Sequence, residues 1–284
     1  MTPLSQQEIR SAVRAALAED LGPGDATTLA CIPLESRSLA RMVAREFLVV
    51  AGLEFAALSF RELDPNARVS RPVADGNHAA AGQCLLEVEG STRALLSAER
   101  VALNYVQRLS GVATVTHRFV EQIEGTGAQL LDTRKTTPGW RRFEKYAVTC
   151  GGGTNHREGL YDLILIKDNH LAALAGATPN AVAAAVRRGR DTFPMLRVEV
   201  EADTLEQALQ AAEAGADIIL LDNMSPTQLR EAVQRIGGRS KTEASGGVTL
   251  ETVRAIAESG VNFVSVGALT HSARSVDIGL DFIS

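Results

Sequence analysis

Cysteine is scarce. Cys31, Cys84 and Cys150 are three in number and far apart, and no two form a CxxC pair. An odd, scattered set excludes a disulfide framework and a cysteine-ligated zinc site, and it fits reduced thiols in the cytoplasm. Excess basic charge is also missing: 29 Lys and Arg against 34 Asp and Glu leave a formal charge of −5. That balance argues against nucleic acid as a partner, because such binders carry a basic face. It leaves room for a small anionic ligand, which needs only a local basic pocket. No apolar run is long enough to span a bilayer: the longest, from Phe47 to Phe60, is interrupted by Glu54. The first residues show no basic segment followed by an apolar core, so no secretory signal is expected and the cytoplasm is the expected compartment. Missing too are HExxH, GxSxG and any Cys/His metal cluster, which removes zinc-protease and esterase chemistry. Gly151-Gly152-Gly153 lacks the spacing of a nucleotide loop and reads as a flexible connection placing His156 and Arg157.

What is present is 45% hydrophobic and 22% charged residues, enough for one large or two ordinary folded domains. The two halves are patterned differently. Ile9, Val13, Ala16 and Leu17 predict an amphipathic helix from about Ser5 to Leu21, ended by Gly22-Pro23-Gly24-Asp25. Short strands are expected at Leu39–Ala44, Phe47–Val50, Ala67–Pro72 and Cys84–Glu89, with turns at Asp75-Gly76-Asn77 and Glu89-Gly90-Ser91. A long helix follows over about Arg93–Glu124. Its Arg100, Asn104, Gln107 and Gly111 share one stripe, either a solvated face or an interface.

From residue 129 the apolar runs stop alternating, as parallel strands buried on both faces do. They are Gln129–Thr133, Leu163–Ile166, Leu196–Val200, Ala216–Leu221, Lys241–Ala244 and Phe263–Val266. Thr178-Pro179, Ser225-Pro226 and Thr249 are expected helix N-caps, and Asp203-Thr204-Leu205-Glu206 resembles a capping box. Strand–helix units at this spacing curl into a barrel through right-handed crossovers. The fold expected is α/β: an N-terminal α/β sandwich over residues 1–112, then an open, incomplete α/β barrel of about six or seven parallel strands over 113–271. The tail, about 272–284, is expected to return to the first domain.

A barrel does its chemistry at the C-terminal ends of its strands. Here those ends carry Arg134 and Lys135, then Lys167, Glu201, Asp222, Ser245-Gly246-Gly247 and Gly267. A succession of such groups on one rim is hard to assign to solubility. The early strands bring a basic zone, with Arg134, Lys135, Arg141, Arg142, His156, Arg157 and Lys167; Arg141 or Arg142 can equally belong to a surface patch. The later strands bring an acidic zone, with Glu201, Asp222 and Glu243. The first suits a ligand with several carboxylates or phosphates. Ser245-Gly246-Gly247 before a helix expected near Thr249, together with Gly267, suits a phosphate.

These residues resemble the quinolinate phosphoribosyltransferase family over nearly the whole chain. The likeness runs from Glu19-Asp20-Leu21-Gly22-Pro23-Gly24-Asp25 through Glu99-Arg100-Val101-Ala102-Leu103-Asn104 to Thr133-Arg134-Lys135-Thr136-Thr137-Pro138-Gly139, its most specific motif. It continues through His156-Arg157, Ile166-Lys167-Asp168-Asn169-His170, Glu199-Val200-Glu201, Leu221-Asp222-Asn223 and Glu243-Ala244-Ser245-Gly246-Gly247. The resemblance implies a pentosyltransferase of NAD biosynthesis. It would join quinolinate to phosphoribosyl pyrophosphate and release pyrophosphate and CO2, with Mg²⁺ and no organic cofactor. By the same likeness Arg100, Arg134, His156, Arg157 and Lys167 bind quinolinate. Lys135, Glu201, Asp222, Ser245, Gly246, Gly247, Gly267 and His271 bind the phosphoribosyl donor, with Lys135, Lys167, Glu201 and Asp222 catalytic. Glu201 and Asp222 hold the metal through water or substrate. The resemblance also implies a homodimer with shared active sites, Arg100 crossing to the partner, and dimers able to assemble into a hexamer. Three rivals stand beside it: a molybdenum-transport-associated homologue of the same fold, an enzyme for the monocarboxylate nicotinate, and a non-catalytic anion-binding protein. The intact Thr133-Arg134-Lys135 and His156-Arg157 favour the quinolinate enzyme over the first.

Overall fold

A computed structural model describes residues 3–283. Met1, Thr2 and Ser284, assigned above to the first domain and the returning tail, lie outside the described residues. In chain order the elements are α1 (Gln6–Leu21), α2 (Ala26–Cys31), β1 (Arg37–Ala44), β2 (Leu48–Val49), α3 (Leu53–Leu63), β3 (Arg68–Ser70), β4 (His78–Ala79), β5 (Cys84–Ser91) and α4 (Thr92–Ile123). Then come β6 (Gln129–Leu131), α5 (Arg141–Cys150), β7 (Ile164–Ile166), α6 (Asp168–Ala172), α7 (Ala181–Thr192), β8 (Val198–Ala202) and α8 (Leu205–Glu213). The last are β9 (Ile218–Asp222), α9 (Pro226–Ile236), β10 (Lys241–Ser245), α10 (Val253–Ala257), β11 (Phe263–Ser265), α11 (Ala268–His271) and β12 (Ile278–Ile283).

Two compact units result. The first holds the chain up to His117, Thr137–Gly152 and the residues from Ser272; the second holds Arg118–Thr136 and Gly153–His271. In the first unit an antiparallel sheet runs in the order β12-β1-β5-β3. The tail is therefore its edge strand, pairing Leu39 with Ile283 and Ala44 with Ile278. β1 alternates after all: Ala40, Met42 and Ala44 are buried and Arg41 is exposed. Composition hid this, because two of the three buried positions are alanines. Ile9, Val13 and Leu17 form the buried face of α1, whose Ser5 and Glu8 make a reciprocal capping box. α3 arises from the apolar stretch that includes Glu54. The Asp75 carboxylate accepts from Gly52 N–H at 2.8 Å and Leu53 N–H at 3.2 Å, supplying the cap that Gly52 cannot.

Neither α2 nor α5 was anticipated. α2 is short, with Asp25 accepting from Thr28 N–H at 3.0 Å. α5 escapes periodicity because charged Glu144 and Lys145 are fully buried beside Phe143, Ala147 and Val148. Glu144 is satisfied by Arg108 at 2.7 Å, Thr137 N–H at 3.0 Å and the Thr137 hydroxyl at 2.9 Å. A buried carboxylate so paired avoids the cost of an isolated charge. The stripe on α4 also divides. Arg100 and Asn104 are exposed, whereas Gln107 donates to the Ile278 carbonyl at 2.8 Å and so serves the returning tail.

The second unit is a six-stranded sheet, β6-β11-β10-β9-β8-β7, parallel throughout. An added parallel bridge joins Leu131 to Thr154 beside β6. β6 and β7 are its two ends, so the barrel is open. Its strands are apolar on both sides, as in β9, whose Ile218, Ile219, Leu220 and Leu221 are buried. The expected caps need three corrections. α7 is capped by Asn180, which accepts from Ala183 N–H at 2.8 Å, because its side chain and not that of Thr178 reaches the free N–H groups. The capping box of α8 is Thr204 with Gln207, one residue later than the motif suggested. Thr249 opens a turn with Thr252, and α10 starts only at Val253. Ser225 with Pro226 caps α9 as expected.

Candidate active site

The C-terminal strand ends of the second unit enclose a basin of about 560 Å³. Arg134, Lys135, His156, Arg157, Lys167, Glu201, Asp222, Ser245, Gly246, Gly247, Gly267 and His271 all line it. Arg100 belongs to the first unit, where it lines a groove with α1 residues, Asn104 and Trp140. Arg142 lines that groove too and pairs with Glu8 at 3.1 Å, so it is no part of the basin.

The loop after β6 starts from fully buried Asp132. Its carboxylate accepts from Asn155 Nδ2 at 2.7 Å and His156 N–H at 2.8 Å, locking the segment that carries His156 and Arg157 onto the loop that carries Arg134 and Lys135. Lys135 is held by its own backbone: its N–H donates to Thr133 Oγ1 at 3.1 Å, and its carbonyl accepts from the Thr270 hydroxyl at 2.7 Å. The Lys135 stem lies against Gly267, where a Cβ would come within 2.9 Å of Lys135 Cδ. Glycine at 267 thus gives the Lys135 stem its close approach.

Two guanidinium groups of the basic zone, Arg134 and Arg157, crowd one another. Burial and the neighbouring Arg134 charge lower the pKa of Arg157. Arg134 Nε is buried with no acceptor among the described residues. Two guanidinium groups in such a place demand an anion of more than one charge. On the opposite side burial, then Glu201 and Asp203, raise the Asp222 carboxyl. That side has carboxylate charge to spare for hydroxyl groups or a cation.

Sequence reasoning missed what lies under the basic zone. His156 Nε2 sits 3.1 Å from Glu199 Oε2 and 3.4 Å from Glu243 Oε2, and both carboxylates are buried. One N–H cannot aim at two carboxylates, and neither receives a well-directed hydrogen bond. Burial pulls the imidazole pKa down, but the two carboxylates outweigh it and lift the group to about 10. Arg157 N–H meanwhile donates to Nδ1 at 2.7 Å, which needs that nitrogen unprotonated. The second proton thus competes with this hydrogen bond. Two residues apart on β8, Glu199 and Glu201 share a side of the strand, but nothing in the spacing paired Glu199 with His156. One ligand atom of each group lies within 4.8 Å of the others, close enough to hold a metal ion.

The acidic side ends at two glycines. Gly246 has φ +98°, and a Cβ there would lie 2.1 Å from Asn223 Oδ1. Only glycine lets this turn sit against Asn223, whose own N–H donates to the Ser245 carbonyl at 2.9 Å. The phosphate reading needs one correction. With α10 starting at Val253, no helix N-terminus stands directly behind the glycines, so backbone N–H groups and the flanking loop must do the work.

Residues 25–110 match the family described as quinolinate phosphoribosyl transferase, N-terminal domain, and residues 112–281 match its C-terminal domain. The chain is 46% identical over 278 residues to a Mycobacterium leprae protein named nicotinate-nucleotide pyrophosphorylase (carboxylating), covering 96% of each. It is 43% identical over 264 residues to a Bacillus subtilis protein named probable nicotinate-nucleotide pyrophosphorylase (carboxylating), covering 93% of this chain and 89% of that one. Among solved structures, the nicotinate-nucleotide pyrophosphorylase from Francisella tularensis superposes with a TM-score of 0.93 at 37% identity, covering 99% of this chain and 98% of that one.

Proposed function

Because the chain belongs to the quinolinate phosphoribosyltransferase family, we propose that the basin of its second unit is where quinolinate and phosphoribosyl pyrophosphate react. The enzyme is a pentosyltransferase of NAD biosynthesis. It yields nicotinate mononucleotide, pyrophosphate and CO2. The observation that carries the placement is the division of one basin into a basic zone with two crowded guanidinium groups and an acidic zone next to a glycine turn.

Arg134 and Arg157, with Lys167, hold the two carboxylates of quinolinate, and His156, whose nitrogens face Glu199, Glu243 and Arg157 N–H, lies against the same zone and positions Arg157. Ser245, Gly246, Gly247, Gly267 and His271 receive the donor's phosphates, Glu201 and Asp222 its ribose hydroxyls, and Lys135 the pyrophosphate. The pyridine nitrogen attacks C1 of the ribose as the C1–O bond to pyrophosphate breaks, so positive charge gathers on the sugar and negative charge on the leaving group. Such a step needs alignment and fixed charge more than a strong base. The ring nitrogen then carries a positive charge. It stabilises the electron pair left at C2 when CO2 departs, and C2 takes up a proton. Mg²⁺ fits the acidic zone, where the raised Asp222 carboxyl beside Glu201 marks charge that a cation would relieve. Glu201 and Asp222 would hold it through water or substrate. It would supply charge neutralisation of the pyrophosphate. The compartment proposed is the cytoplasm, in keeping with three free thiols.

Specificity tests the basic zone. Nicotinate, with one carboxylate, leaves part of the Arg134–Arg157 pair unanswered. Expected is a kcat/KM for quinolinate at least about 10³ times that for nicotinate. Comparable values would reject the assignment of the basic zone to a dicarboxylate.

Arg100 enters only through assembly. We assign it to the active site of a partner subunit in a homodimer, and such dimers can stack into a hexamer. Its support is that Arg100 is exposed in a groove of the first unit. Arg100→Ala and Lys135→Ala chains are each expected to be nearly inactive. Unfolded together in equal amounts and refolded, they recover roughly a quarter of all sites, because half the dimers are mixed and each mixed dimer holds one intact site. Mixed dimers shown by differently tagged chains, but without recovery, would place Arg100 outside the neighbour's site.

A further inference from the structure

An ion pair between Lys167 and Glu201 joins the two zones of the basin. β7 and β8 run parallel with Ile166 opposite Val200, so the next residue of each strand's path brings Lys167 alongside Glu201. Lys167 Nζ donates to Glu201 Oε2. The Lys167 side chain is 45% exposed and that of Glu201 13%, so the cation has room to swing and the carboxylate is the fixed member. Lys167 belongs to the quinolinate zone and Glu201 to the donor zone. In this arrangement each neutralises the other, and neither is offered in full to its substrate.

We propose that the Lys167–Glu201 pair couples the two substrate subsites, so that filling either one frees the group that serves the other. This rests on the functional reading above. A quinolinate carboxylate that draws the Lys167 ammonium away leaves Glu201 a bare acceptor, ready for the ribose hydroxyls. A ribose that engages Glu201 releases Lys167 to the dicarboxylate. Neither exchange involves a covalent step. Each ligand breaks the same pair, and the second ligand to arrive finds it already broken. Linkage makes the effect reciprocal: quinolinate must improve binding at the ribose subsite by the factor by which that ligand improves quinolinate binding. Exclusive use of the pair also means that quinolinate alone binds below the strength its basic zone could give.

Calorimetric titration of the whole protein tests this, with quinolinate and with ribose 5-phosphate as an unreactive occupant of the donor subsite. The wild type is expected to show mutual tightening of about 5- to 50-fold. Glu201→Gln removes the lock while keeping the side chain's shape. It should bind quinolinate alone at least about fivefold more tightly than the wild type, with mutual tightening reduced to about one. Loss of a negative charge near an anion would also help binding in general. Asp203→Asn removes an equal charge at the same strand end from an exposed residue that does not line the basin, and should keep the mutual tightening. Lys167→Ala should abolish the tightening from the other side, which guards against a folding defect in Glu201→Gln. Unchanged tightening in Glu201→Gln, or its loss in Asp203→Asn as well, overturns the coupling. If the wild type binds quinolinate with no mutual tightening, the coupling fails and the functional reading stands. If the wild type binds no quinolinate, the functional reading fails and the coupling with it.

Discussion

Lys135→Ala is expected to lower kcat/KM by about 10²–10³, the cost of about 3–4 kcal/mol seen when one preorganised electrostatic group is removed. The loss should fall on kcat, because the charge of Lys135 matters most when the bond to pyrophosphate has stretched and negative charge has built up on the leaving oxygen. The residue is set for that task. Its N–H is tied to Thr133, its carbonyl to Thr270, and its stem runs along Gly267. Little rearrangement is then needed during reaction. Its backbone ties do not depend on the ammonium, so the variant should keep the fold. Steady-state kinetics with quinolinate and phosphoribosyl pyrophosphate, alongside thermal unfolding, check both halves. Near-normal turnover in a folded variant would remove Lys135 from the leaving-group site.

Gly246→Ala should damage both stability and donor binding. The residue has φ +98°, and a Cβ would lie 2.1 Å from Asn223 Oδ1 and 2.9 Å from Asn223 N. A side-chain atom can move away, but the backbone nitrogen is held by its hydrogen bond to Ser245. The strained angle and the overlap together should cost about 2–5 kcal/mol. The turn that presents N–H groups to phosphate would also shift, raising KM for the donor more than for quinolinate. Denaturant unfolding and the two KM values measure these effects separately. An unchanged midpoint with unchanged donor KM would mean that the turn does not set the phosphate site. Equal rises in both KM values would mean that the damage is general.

Much of this was legible because barrels repeat. The strands from β6 to β11 announced themselves as unalternating apolar runs, and each ended in the groups that now line the basin. What escaped the reading escaped for physical reasons. α5 buries Glu144 and Lys145, so its inner face has no apolar signature. Asp75 caps α3 from 22 residues beyond Leu53, a tertiary contact that no local motif can show. Glu199 and Glu243 join His156 from three different segments, and only the folded sheet brings them together. The role of Arg100 came from family resemblance, whereas that of the glycine loops came from their place at successive strand ends. The structure then changed the argument for the loops, replacing a helix terminus with a glycine turn.

The central claim is that one basin takes both substrates and couples transfer to loss of the carboxylate at C2. Quinolinate labelled at that carboxylate carbon, incubated with the enzyme, phosphoribosyl pyrophosphate and Mg²⁺, tests it directly. Expected are labelled CO2 and pyrophosphate released in equal amounts, unlabelled nicotinate mononucleotide as product, and neither release when either substrate is omitted. Pyrophosphate without labelled CO2, or labelled CO2 without phosphoribosyl pyrophosphate, would contradict the account.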